Sequence, residues 1–130
     1  VPALDPTLEK AVVILAGFES IVSEYADLCV KTLPTSFRKY QGAADDWRQR
    51  HGTLLSRQAA VMRDHLSPAQ RTALRSATQL KTRGMMAPVH SASAAARIKW
   101  CDDNTLEVSG GKVDLVGNYA AALMAYQGKR

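Results

Sequence analysis

Three histidines, two cysteines, paired aspartates and a set of arginines are the side chains with chemistry to offer, and their spacing decides what they can do. His51 and His65 fall on one helical stripe but 14 residues apart, roughly 21 Å along an α-helix, too far to share a metal ion. His90 stands alone. No His-x3-His or Cys-x2-Cys spacing occurs, so no local metal-binding motif is present. Asp64-His65 and Asp102-Asp103 hold acid–base groups, but adjacent residues on a helix point about 100° apart and form no ready-made dyad. Ser91 and Ser93 lie near His90 without a nucleophile-elbow context. Gly110-Gly111-Lys112 lacks the earlier glycine and the following Ser or Thr of a phosphate loop. The expectation is a non-enzymatic protein with no catalytic residue, no metal and no cofactor.

Binding chemistry is better represented. The net charge of +5 is uneven: residues 1–35 hold two cations against five acids, residues 36–97 eleven against three, and residues 98–130 four against four. Arg50 and Arg57 sit one heptad apart, and Arg71 and Arg75 stack at i, i+4. If antiparallel neighbours bring these lines together, they make a basic strip for an acidic protein surface. That strip has no aromatic interleaving and belongs to no recognised nucleic-acid module, which disfavours DNA and RNA. Phe37, Tyr40 and Trp47 lie one above another and read as a core ladder. His51 and Gln58, on the same seam, read as satisfied polar core groups. A second arrangement to test is a ligand cavity lined by Trp47, His51, Met62 and Met85.

The elements that must position these residues are helical. Asp5-Pro6 caps a first helix over about 6–31. Its apolar series Leu8, Ala11, Leu15, Phe18, Val22, Tyr25, Cys29 steps alternately by 3 and 4, a bundle-packing seam that Val12, Ile14 and Ile21 widen. Pro34 ends it. The next stripe, Phe37, Tyr40, Ala44, Trp47, His51, Leu54, Gln58, Val61, His65, reads as one long helix ending near Leu66. Gly42 and Gly52 mark where it would bend, each costing about 1 kcal/mol against Ala. Ser67-Pro68-Ala69-Gln70 is a capping box that restarts the chain. The third helix turns Ala73, Leu74, Ala77 and Leu80 inward and weakens at Gly84, leaving Met85, Met86 and Pro88 as a connection. A fourth, over 91–104, offers Ala94, Ala95, Ile98 and Cys101 to the core. Ser109-Gly110-Gly111 breaks the chain, and Asp114 is placed to cap a fifth helix with Leu115, Tyr119, Ala122, Leu123 and Tyr126 on one face. The competing reading of 106–115 is a hairpin, since Leu106, Val108, Val113 and Leu115 alternate with polar residues around a glycine turn.

Size and composition agree with one domain over 1–130: apolar residues are 46% and charged residues 22% of the chain. The longest apolar run, residues 11–18, falls far short of the roughly 20 residues a membrane span needs. The chain begins Val-Pro-Ala without Met, which fits a mature protein whose signal peptide has been removed or a domain cut from a longer chain. Two cysteines, Cys29 and Cys101, allow one internal pairing or two separate buried thiols.

Cys29-Val-Lys-Thr-Leu-Pro34, then Phe37, Tyr40, Trp47 and Arg50-His51, with Lys99-Trp100-Cys101 later on, resembles small secreted helical proteins of proteobacteria. The resemblance implies export, a Cys29–Cys101 disulfide and a periplasmic or secreted location, and it implies no activity. Together these observations give an all-α fold, an antiparallel helical bundle of four to five helices tied by that disulfide. The function expected by elimination is binding another protein, as an inhibitor or immunity protein neutralising an effector. The alternatives are a carrier of a small apolar or anionic ligand, and a nucleic-acid-binding or structural module.

Overall fold

A computed structural model describes residues 4–128. The expectation of a processed amino terminus rests on residues 1–3, which lie outside the described residues.

α1, Pro6–Thr32, forms as its sequence demands. The Asp5 carboxylate accepts the Leu8 N–H at 3.3 Å, Pro6 occupies the first turn, and the Leu33 N–H closes the far end on the Cys29 carbonyl. Leu8, Ala11, Leu15, Val22, Tyr25 and Cys29 are buried along the expected seam, and Val12, Ala26 and Leu28 widen it. A short 3₁₀ turn, Pro34–Ser36, then reverses the chain.

The stripe expected as one helix over the next segment is two: α2, Phe37–Arg50, and α3, Gly52–His65. The break falls at His51, because its ring nitrogen Nδ1 bonds the Trp47 carbonyl that its own backbone N–H also uses. A side chain entering the backbone ladder is a recognised cause of a bend, and Gly52 beside it offers little resistance. Phe37, expected in the core ladder, is 48% exposed, while Tyr40 and Trp47 are fully buried.

α4, Pro68–His90, opens with the capping box: Gln70 N–H donates to Ser67 Oγ at 3.1 Å, and Ser67 N–H donates to Gln70 Oε1 at 2.8 Å. It does not weaken at Gly84. The helix runs through Met85 and Met86 with Pro88 inside its last turns, where Met86 is buried and Val89 half-buried against the core. The loss of one backbone donor there is outweighed by that packing. The expected inward face is also corrected. Ala73, Ala77 and Leu80 are exposed, and the inward line is Leu74 and Thr78, half-buried, with Thr82 and Met86 buried. Thr78 Oγ1 donates to Leu74 O at 2.7 Å and Thr82 Oγ1 to Thr78 O at 2.9 Å, so both hydroxyls turn inward, Thr82 fully buried, without an outside partner.

α5, Ala94–Ser109, is capped by Ser93, whose Oγ accepts the Ala96 N–H at 3.2 Å. It starts later and ends later than expected, leaving Ala94 and Ala95 exposed. Leu106 and Val108 are helical, so the hairpin alternative is set aside, and no strand occurs among the described residues. Gly111, at φ +90°, makes the turn that follows. α6, Gly117–Ala125, is preceded by Val116 rather than capped by Asp114, and it buries Leu123 with Tyr119, Ala122 and Tyr126 half-buried.

The expected count of four to five helices becomes six among the described residues. The chain still runs up, down, up and down. α2 with α3 makes the second leg and α5 with α6 the fourth, each broken once. α1 touches every other helix. α2 and α3 pack beside α5 and α6, and α4 lies along α1. The bundle is therefore three tightly packed legs with α4 laid against the outside of α1.

Candidate functional site

The two broken legs meet at one level, and their meeting point holds Trp47 and His51. Trp47 Nε1–H donates to the Val113 carbonyl at 2.9 Å. The His51 ring stacks on it, centroids 4.2 Å apart and planes 19° from parallel. His51 Nε2 accepts the Leu115 N–H at 3.1 Å, so Nδ1 carries the proton and donates to Trp47 O at 2.9 Å. Arg50 completes the joint, its guanidinium donating to Val108 O at 2.8 Å and Asp114 at 3.0 Å. The ring nitrogens of Trp47 and His51 all meet protein partners, and Arg50 donates through one of its nitrogens. The chemistry of the joint is structural.

Cys29 and Cys101 are disulfide-bonded, with Cα atoms 5.7 Å apart, and both are fully buried. The rings of Tyr40 and Trp100 flank Tyr25 at 6.2 and 6.3 Å. Tyr25 and Thr105 share a hydroxyl contact at 2.5 Å, while Asp102 accepts from Tyr40 at 2.9 Å and Lys39 at 2.7 Å. The Lys39 ammonium and the Tyr40 hydroxyl hold the Asp102 carboxyl below its ordinary range, and burial pushes Tyr40 and Tyr25 up.

The segment that follows α6 is clamped to α3 through Tyr126. Arg57 donates to the Tyr126 carbonyl, the Tyr126 hydroxyl donates to Asp64 at 2.6 Å, and the His65 ring meets Tyr126 edge-on. Burial, and then the hydrogen bond to Asp64, push the Tyr126 hydroxyl up to about 12 from 10.0. A phenol that ionises later folded than unfolded stabilises the fold below pH 10 and loses that contribution as pH climbs towards 12. The difference in phenolate absorbance between the native protein and its Tyr126→Phe variant should therefore appear near pH 12. A native midpoint at the unfolded value would mean that the clamp is absent in solution.

The four arginines do not make one strip. Arg50 and Arg57 are spent holding the fourth leg to the second. Arg71, which also donates to the Leu66 carbonyl at 3.2 Å, and Arg75 line a groove of about 490 Å³ between α1 and α4. The expected ligand-lining set is likewise dispersed. Trp47 and His51 are packed in the joint, Met62 reaches the α1–α4 groove, and Met85 is 57% exposed on α4. Sequence reasoning missed the groove's acidic wall, Glu19, Glu24 and Asp27 on α1. Its signal was available in the polar strip that α1 carries opposite its apolar seam.

Among the described residues no three His, Cys, Asp or Glu side chains are grouped to hold a metal ion, and no helix is long and apolar enough to cross a membrane. No family model, curated protein or solved structure matches the chain.

Proposed function

We propose that this chain is a non-enzymatic protein of an oxidising compartment, periplasmic or secreted, that binds another protein carrying an acidic surface. An inhibitor or immunity protein that neutralises an effector is its most concrete form. The observation that carries the reading is the outer face of α4. That helix bears no acid, and Lys81 and Arg83 stand beside its exposed seam, while Arg71 and Arg75 turn to the groove with α1. The solvent side of α4 presents Ala73, Ala77, Leu80, Gly84 and Ala87, a series stepping by 4 and 3 that is exposed throughout, with Leu80 73% exposed.

A seam of this period is the pattern a packed helix uses, and here no element among the described residues covers it. Lys81 and Arg83 flank Leu80 and Gly84, so a second copy of the chain would bring cation against cation. An amphipathic surface with acids beside its apolar residues meets both features. The face carries no aromatic ring on which a base could stack, which argues against single-stranded nucleic acid. The sheltered Cys29–Cys101 bridge, and the resemblance to secreted helical proteins, support the compartment.

Capture from the native envelope fraction tests the reading, using unreduced protein and two variants. Leu80→Glu places an acid in the seam without touching the core, and Phe37→Glu makes the same change at an exposed site on α2. The expected result is an acidic protein retained by wild type and Phe37→Glu and lost with Leu80→Glu. Retention that all three share, or that nuclease treatment removes, would count against the proposal.

A further inference from the structure

The inner side of α4 poses a different question from its outer face. α1 and α4 run side by side in the same direction, and the small or hydroxyl-bearing residues Ala16, Ser20, Ser23 and Thr78 line the space between them together with longer side chains. Between them lies the groove of about 490 Å³, a size that suits a small molecule. It continues into a shallower depression of about 790 Å³ through the shared residues Glu24, Asp27 and Arg83.

The walls are oppositely charged. α1 supplies Glu19, Glu24 and Asp27, and α4 supplies Arg71, Arg75 and Arg83. No ion pair within 4.0 Å joins the two sets among the described residues. At the end of the groove Gln58 is only 4% exposed, and its amide nitrogen donates to the Val12 carbonyl at 2.9 Å. Its amide oxygen meets no donor among the described residues and reaches solvent in the groove, since no buried side-chain polar atom there is left without a partner. An accessible amide oxygen at that end of the groove can accept a hydrogen bond from a ligand's ammonium group.

An anion alone would face three carboxylates, a cation alone would face three guanidinium groups, and an apolar molecule would strip water from both walls without replacing it. Only a molecule with both charges satisfies the two sides together. We propose that the α1–α4 groove binds a small zwitterionic amino carboxylate, its ammonium on Glu19, Glu24 and Gln58 Oε1 and its carboxylate on Arg71 and Arg75. Leu74 and Met62 supply an apolar floor for a short aliphatic side chain. The groove shares Arg83 with the edge of the partner-binding face, but its ligand contacts lie on the inner side of α4, so it stands or falls without that face.

Two probes distinguish the sources of that chemistry: free leucine, and the tripeptide Ala-Leu-Ala. Each is titrated into the disulfide-bonded protein while backbone amide resonances are followed, with N-acetylated and C-amidated forms as controls. The expected result is saturable shifts confined to α1, α4 and the Gln58–Met62 stretch of α3 for at least one probe. Removing either charge should weaken binding about tenfold or more, the scale of one charge-assisted hydrogen bond. Arg75→Gln and Glu24→Gln, changes at accessible edge positions, should each do the same while leaving the remaining spectrum intact. Capped probes that bind as well as free ones, shifts that map elsewhere, or no saturable shift with either probe would overturn the assignment.

Discussion

Replacing both cysteines, Cys29→Ala with Cys101→Ala, should lower the unfolding free energy by about 4 kcal/mol, the chain-entropy value for a loop of this length. The bridge spans 72 residues and links α1 to α5, so its loss frees the unfolded chain over more than half its length. The native state should change little, because both sulfurs are buried and the Tyr25, Tyr40 and Trp100 rings still close the site. Chemical denaturation of the double variant against the oxidised parent measures the difference. A loss below about 1 kcal/mol would show that the denatured chain is already compact around these helices. The size of the effect bears on location: a domain leaning this heavily on one disulfide folds best where oxidants keep it closed.

What could be read in advance follows a physical rule. α1 was legible nearly residue by residue, because a capped helix touched by every other leg must carry an unbroken apolar seam. The Ser67–Gln70 box was legible for the same local reason, since both of its hydrogen bonds lie within three residues. The inward face of α4 was not. Thr78 and Thr82 look like surface residues in sequence, yet each satisfies its hydroxyl on its own helix and can turn inward. Counting only apolar residues rotated the helix and put Ala73, Ala77 and Leu80 inside when they lie outside.

The site residues divide in the same way. Arg50 and Arg57 share a helical line, which sequence showed, but whether they reach solvent or a carbonyl depends on Val108, Asp114 and Tyr126, which lie 58 to 69 residues further on. A pattern within one helix says which face a residue occupies and nothing of what that face meets. The groove between α1 and α4 needed that missing information, because its acids and its arginines belong to different helices.

The largest single-residue effect belongs to Trp47. Its side chain is fully buried where the second and fourth legs break, and Trp47→Ala should cost about 3–5 kcal/mol, as large aromatic truncations do. Two further losses push towards the upper end: the Val113 carbonyl is left without its donor, and the His51 ring loses the face it stacks on. Trp47→Phe separates the contributions. It retains most of the ring and removes the indole N–H, so about 1–3 kcal/mol should be lost, the penalty for an orphaned buried acceptor. His51→Phe should cost a similar amount for the opposite reason, leaving the Leu115 N–H unpaired. Because Trp47 and His51 pin one loop at adjacent points, the two changes should not add. A double-mutant cycle on Trp47→Phe and His51→Phe should give a coupling of about 0.5 kcal/mol or more. Strict additivity would mean that the 110–116 segment is held by something other than this stacked pair. The breaks in the two legs would then be independent accidents rather than one joint.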